Sequence, residues 1–222
     1  MTNLILVPTP LELERLQSKI HALKGTNFAL QLCGFGPIAA AARASNLISR
    51  YQPERVLLIG IAGTFDANRY PIGSAQRFTR TVCYGVGVGV GKSHHSAAQM
   101  GWLQFTAADA KPEIGDALPL DSGFVSGIPA SGTLLTCCSS SDSAEEAESR
   151  RQLFPDAAAE DMEGFSVAMA CNLAGVPLQI VRGISNEVGN RNVGDWRIDE
   201  AMESAAKLAT RLMQRAWLPS QS

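Results

Sequence analysis

Four short apolar runs constrain this chain more than any other feature of its sequence. Asn3 to Val7, Phe28 to Cys33, Arg55 to Ile61 and Pro177 to Ile184 are almost continuously apolar rather than alternating. Strands buried on both faces read this way. Helical patterns separate them. Leu11, Leu13, Leu16 and Ile20 follow a roughly helical period after Pro8-Thr9-Pro10. Ile38 to Arg50 follows a Gly34-Phe35-Gly36-Pro37 turn, with Pro37 suited to a first helical turn and an alanine-rich face suited to close packing. Strands alternating with helices predict an α/β sheet covered on both faces. No linker, repeat or boundary interrupts residues 1–222, so one domain is expected. A chain of 222 residues that is 45% apolar and 18% charged can build such a core.

The rest of the chain is read more coarsely. Residues 73 to 136 hold short apolar runs, many glycines and little helical period, which predicts several short strands with long loops. Asp142 to Leu153 predicts a charged surface helix capped by Asp142 or Ser143. Ala157 to Asp161 leads into an uncharged helix over Met162 to Ala174. Val193 to Ala216 predicts a long terminal helix, with Asp195 near its start and Arg211 and Arg215 near its end.

Charge and cysteine content exclude several classes. With 19 Lys+Arg against 21 Asp+Glu and no basic run, the chain lacks the footprint of a nucleic-acid binder. Five cysteines without a CxxC pair, and three histidines (His21, His94, His95), give no disulfide framework and little basis for a metal site. The N-terminus lacks a secretory pattern. Ser122 to Ser141 is too rich in Ser, Gly, Thr and Pro to span a membrane, and Gly164 to Val181 is broken at Gly175-Val176-Pro177. A soluble, reduced, cytoplasmic protein without a membrane partner is expected.

The tract Gly85 to Ser93 invites a phosphate-loop reading, but the spacing fails. Gly91-Lys92-Ser93 needs glycine where Val86 stands, and a dinucleotide fingerprint needs glycine where Val90 stands. A glycine-rich strand or loop near a ligand remains. His94 and His95 would point to opposite strand faces, and Cys137-Cys138 reads as structural.

Glu160-Asp161-Met162-Glu163-Gly164 is more telling. Acids where a strand enters a helix are often caps. Here, however, Glu12 follows the first strand and Arg182-Gly183-Ile184-Ser185-Asn186 ends the central one. Polar groups at carboxyl ends of strands converge on the crevice where α/β proteins bind ligands. Carboxylates, an arginine and an asparagine there suit chemistry with developing positive charge and a departing base.

With Pro8-Thr9-Pro10-Leu11-Glu12, Gly34 to Ala40, Gly60-Ile61-Ala62-Gly63, Asp161 to Gly164, Val181 to Asn186, and Val188-Gly189-Asn190-Arg191 followed by Trp196, the chain resembles the purine nucleoside phosphorylase and nucleosidase superfamily. Within it the chain is most similar to futalosine hydrolases of the alternative menaquinone pathway. Residues 66 to 130 match only weakly. The resemblance implies a three-layer α/β/α fold with a central mixed, twisted sheet, nucleoside phosphorylase-like, and self-association. It implies hydrolysis of the N-glycosidic bond of futalosine, releasing hypoxanthine, with no cofactor or metal. Glu12 would deprotonate the attacking water and Glu163 would hold the ribose hydroxyls. Met162 would pack on the sugar and Arg182 would support the water-side network. Ser185 and Asn186 would address the purine at N7, and Ala62 and Gly63 would approach the nucleoside as backbone.

Two departures bear on the substrate. Methylthioadenosine/S-adenosylhomocysteine nucleosidases carry Asp where Asn186 stands. An amide donates a hydrogen bond but delivers no proton, which suits a 6-oxopurine. Their base-stacking aromatic falls near Leu135, leaving Phe165 or Phe35 as stacking candidates. Three other readings stay open: an adenine nucleosidase acting on methylthioadenosine, S-adenosylhomocysteine or aminodeoxyfutalosine; a nucleoside phosphorylase, which would need a basic anion site after strand one; and a non-catalytic nucleoside-binding protein.

Overall fold

The computed structural model describes residues 2–20, 27–107, 112–120 and 127–216. His21 and the start of the 122–141 run lie outside them. In chain order the elements are β1 (Asn3–Val7), α1 (Pro10–Ile20), β2 (Phe28–Leu32), α2 (Pro37–Tyr51), β3 (Val56–Thr64), β4 (Ala75–Arg77) and β5 (Arg80–Tyr84). Two small ribbons follow, β6 (Gly87–Val88) with β7 (His95–Ser96), and β8 (Phe105–Thr106) with β9 (Glu113–Ile114). Then come β10 (Ala117–Pro119), β11 (Thr133–Cys137), α3 (Ala144–Leu153), β12 (Ala157–Asp161), α4 (Gly164–Ala174), β13 (Leu178–Glu187) and α5 (Ile198–Ala216).

Alternation along the central strands builds the expected three layers. In β1, Leu4 and Leu6 join one cluster, with Ala40, Ala44 and Leu47 of α2 and Val167 and Cys171 of α4. Ile5 and Val7 point the other way, into a cluster with Leu16 and Ile20 of α1 and Met202, Ala205 and Leu212 of α5. β3 splits likewise, Val56 and Leu58 to the first side, Leu57 and Ile59 to the second. Each fully buried Leu or Ile stabilises by about 1.5–3 kcal/mol, which is why the uninterrupted runs could be read as central strands.

The nine-stranded sheet is mixed. β1 pairs in parallel with β2 and β3, while β12 meets β3 antiparallel. β13 runs parallel along one edge of β3 from Val56 to Thr64. The opposite edge is shared. β1 pairs with Val56 to Leu58, and β12 takes over only at Gly63 and Thr64. The β3 edge at residues 59–62 therefore faces a gap between β1 and β12. Their carboxyl ends open on that gap, a topological switch point of the kind that binds ligands.

Two boundaries differ from the sequence reading. β3 continues through Gly60-Ile61-Ala62-Gly63 to Thr64, because β13 and β12 pair with those residues. The terminal helix begins at Ile198, and Val193–Asp195 is a separate 3₁₀ turn. Arg197 N donates to Ser185 O at 2.8 Å and Trp196 Nε1 to Asn190 O at 3.0 Å, which fastens this segment over the end of β13. Asp199 and Glu200 thus occupy the first helical turn in place of Asp195, and Arg215 the last.

His94 and His95 do part company: His94 is buried edge-on against Tyr84, with ring centres 4.8 Å apart, and His95 is exposed. Cys137 is buried and Cys138 exposed. No helix of the described residues is long and apolar enough to cross a membrane.

Candidate active site

Glu12, Ala62, Gly63, Met162, Glu163, Ser185 and Asn186 line one cleft of about 270 Å³. Arg182 lies beneath it, fully buried, and does not line it. The glycine-rich tract 85–93 contributes no residue to this cleft. Phe165 is a core residue at 3% exposure, and Leu135 is also in the core. Of the aromatics considered for stacking, Phe35 alone reaches the cleft, where it is 66% exposed.

Glu12 is fixed by its own helix. Thr9 N and Thr9 Oγ1 donate to Glu12 Oε2 at 3.0 and 2.5 Å, and Glu12 N donates to Thr9 Oγ1 at 3.3 Å. This is a reciprocal capping box, Thr-x-x-Glu, at the start of α1. Its signature was legible in Thr9-Pro10-Leu11-Glu12, and Thr9 is a site residue that the sequence reading missed. One carboxylate oxygen is thereby committed to the cap. The other, Oε1, accepts from Ile61 N at 2.9 Å, on the unpaired edge of β3. A carboxylate offers about four acceptor positions. Three are used, and one on Oε1 remains.

Three carboxylates surround one guanidinium. Arg182 donates to Asp161 Oδ2 from Nη2 at 2.5 Å and Nε at 3.1 Å, and to Glu163 Oε2 from Nη2 at 3.1 Å. A Cβ on Gly60 would lie 2.1 Å from Arg182 Nη1 and 2.7 Å from Glu12 Oε1, so both groups pass directly over that glycine. Its missing side chain is what lets them meet. Burial alone would lower the Arg182 pKa, but Asp161, Glu163 and Glu12 hold it above its ordinary value. Burial pushes the Glu163 carboxyl up to about 7, with Arg182 opposing and Asp161 assisting.

Asp161 separates capping from chemistry. Its Oδ2 accepts from Gly164 N at 2.8 Å, and Thr136 Oγ1, itself bonded to Asp161 Oδ1, accepts from Phe165 N at 2.8 Å. These bonds satisfy orphan donors of α4. Glu163 stands at the N-cap but makes no side-chain cap bond. Instead Oε1 accepts from Gly36 N at 2.9 Å across the cleft. The acidic group is therefore part cap and part site, residue by residue.

A bulge in β13 delivers the next pair. The register with β3 shifts between Ile184 and Asn186, so Ser185 is the extra residue. Ser185 Oγ donates to Asn186 Oδ1 at 2.7 Å, and Asn186 Nδ2 donates to the carbonyl of Glu187 at 2.8 Å. The carbonyl fixes which end of the amide is nitrogen. One Nδ2 hydrogen remains for a ligand.

A second buried pair sets one wall. Glu160 accepts from Ser141 N at 2.7 Å, Ser141 Oγ at 2.8 Å and Arg150 Nη1 at 2.6 Å. Arg150 is 2% exposed, although α3 reads as a surface helix. Its guanidinium also bonds Glu146 and packs over the Tyr84 ring at 4.9 Å. Substituting Arg150→Met leaves the buried Glu160 carboxyl without its cation, held only by Ser141 N and Oγ. A loss of about 3–5 kcal/mol is expected by urea denaturation. A loss under about 1 kcal/mol, the range of a solvated pair, would show that Arg150 is not a buried partner.

Residues 12–217 match the phosphorylase superfamily. The chain is 36% identical over 160 residues to the futalosine hydrolase of Streptomyces coelicolor, spanning 60% of this chain and 67% of that one. It is 29% identical over 221 residues to the futalosine hydrolase of Thermus thermophilus, spanning 95% and 94%. A crystal structure of a 5'-methylthioadenosine/S-adenosylhomocysteine nucleosidase from Colwellia psychrerythraea in complex with adenine shares the fold, with a TM-score of 0.77 at 20% identity over 97% of this chain and 96% of that one.

Proposed function

The chain belongs to the phosphorylase superfamily, and we propose that within it the protein is a nucleosidase that hydrolyses the N-glycosidic bond of futalosine, releasing hypoxanthine, in the alternative menaquinone pathway. The observation that carries hydrolysis is the excess of carboxylates over cation: Glu12, Asp161 and Glu163 around Arg182. N-glycosidic cleavage develops positive charge on the sugar, and a preorganised negative site stabilises it. Ribose hydroxyls donating to the remaining Glu163 positions strengthen that charge complementarity, as sugar hydroxyl contacts do in glycoside hydrolysis. Glu12 Oε1 takes the proton of an attacking water, worth about 10²–10⁴-fold. A phosphate dianion brought to the same floor meets carboxylates, which argues for water as the nucleophile. Turnover is expected to be independent of phosphate and to place oxygen from isotopically labelled water at C1 of the sugar. A sugar 1-phosphate product would overturn hydrolysis.

The hypoxanthine preference rests on Asn186. In Asn186→Asp a carboxylate oxygen would face the Glu187 carbonyl in place of the Nδ2 now 2.8 Å away. Only a protonated aspartic acid avoids that repulsion, and it then donates to one neighbour at a time. Activity on the hypoxanthine nucleoside should fall about 10–100-fold, the cost of about 1–3 kcal/mol for a buried mismatch, and shift toward acid pH. Adenine presents an amino donor beside N7 and should lose less. Measuring kcat/KM for matched hypoxanthine and adenine nucleosides decides it, and an unchanged ratio would remove Asn186 from base reading.

A further inference from the structure

The cleft is acidic at its floor and basic at its rim. Glu12, Glu160, Asp161 and Glu163 are all buried, whereas Arg191 is exposed and is the one basic side chain among the described lining residues. The Arg191 guanidinium lies 5.0 Å from the centre of the Trp196 ring. The indole is held by its bond from Nε1 to Asn190 O at 3.0 Å. Two acids lie four residues away in sequence: Glu187, which is exposed and makes no ion pair with Arg191, and Asp195, which is occupied by Asn190 Nδ2 at 3.1 Å; Glu200 is occupied by Arg197 at 3.3 Å. No carboxylate of the described residues pairs with Arg191. The loop is also fixed in position. Gly189 has φ +87°, and a Cβ there would stand 2.4 Å from Ser143 O, so the segment is pressed onto the start of α3.

We propose that Arg191 and Trp196 form a subsite for an aryl carboxylate carried at the 5' end of the nucleoside. The proposal rests on the nucleosidase reading above and names what its substrate must carry. A sugar whose C1 lies over Glu12 and Glu163 sends its 5' substituent away from the floor, toward the rim. There an indole offers a flat apolar face and a guanidinium offers a planar fork that matches a carboxylate in two hydrogen bonds. The same Arg–Trp pair selects against a neutral thioether tail, which covers the indole but leaves the cation unanswered.

The test compares futalosine with inosine, which share a base and differ in the tail. In Arg191→Gln, kcat/KM for futalosine should fall ~10–100-fold through KM, as for a lost hydrogen bond to a charged group, with inosine turnover held within about twofold. Arg191→Lys should restore part of the loss, and Trp196→Leu should follow Arg191→Gln. Calorimetric titration with millimolar 3-methylbenzoate gives a readout without turnover: heat of binding in the wild type, lost in Arg191→Gln. Equal losses on both nucleosides, which would put the indole on the base, overturn the subsite. So does an unchanged futalosine-to-inosine ratio, or a benzoate titration that Arg191→Gln leaves as it was. Wild-type protein that cleaves methylthioadenosine but not futalosine overturns the substrate reading instead.

Discussion

Glu12→Gln is expected to fold and to lose about 10²–10⁴-fold in kcat, the share of a positioned general base. The substitution is informative because Glu12 does two things. Its Oε2 closes the capping box with Thr9, and its Oε1 faces the cleft from the Ile61 amide. Glutamine is an accepted capping-box residue, so the start of α1 survives. Its amide has only one acceptor oxygen, however. With that oxygen on Thr9, the NH2 group confronts Ile61 N–H, at a cost of about 1–3 kcal/mol. A modest fall in Tm with a collapse in kcat is therefore the expected pattern. Near-wild-type kcat in folded protein would reduce Glu12 to a helix cap. Thr9→Val separates the roles further. It removes the hydroxyl that holds Oε2 at 2.5 Å, keeps the carboxylate, and should lower kcat less than Glu12→Gln does.

Legibility from sequence followed physical locality. Runs such as Leu4 to Val7 announced β1 because both faces are buried and every residue is apolar. Glu12, Glu163 and Asn186 were legible because strand ends in an α/β sheet point at one crevice. Arg182 was legible too; its direct bonds run to Asp161 and Glu163, and it meets Glu12 over Gly60. Asp161 was seen and not separated from Glu163, since one acidic run hides which member caps the helix and which crosses the cleft to Gly36. Thr9 needed only the capping-box spacing. The Arg150–Glu160 pair was not legible. Its partners lie on α3 and β12, and the rest of α3 reads as a solvated helix with Glu145, Glu148 and Arg151. The glycine tract was legible as a glycine-rich strand and loop, since its turns are local. Positive φ at Gly85, Gly87, Gly89 and Gly91 shapes the tight turns in and around the β6–β7 ribbon.

Glu163→Gln tests the electrostatic core of the site, with a sign that can be worked out. The Glu163 carboxyl is pushed up to about 7 by burial, beyond what Arg182 restores. One guanidinium stands among three carboxylates, and the charges of Asp161 and Glu12 add to the upward push that burial gives Glu163. Chemistry needs the carboxylate, to accept from sugar hydroxyls and to face the developing cation. Wild-type kcat/KM should thus rise about tenfold per pH unit below about 7 and level off above it, as for a single essential base. Glu163→Gln should lose about 10²–10³-fold, the scale of one preorganised electrostatic partner, and lose that limb as well. Stability moves the other way. A carboxyl whose pKa is higher folded than unfolded contributes stability that is fully present below about pH 4.5 and is lost as pH rises through about 7. The loss is on the order of 3 kcal/mol at about 1.4 kcal/mol per pH unit. Glutamine never ionises, so the variant should shed less stability than the wild type between pH 5 and 8. Parallel Tm curves for the two proteins would show that Glu163 holds no proton near neutrality. An unchanged rising limb in the variant would assign that limb to another group. The two readouts are separable, because a carboxylate that merely braced Arg182 would leave the slope of kcat/KM with pH untouched.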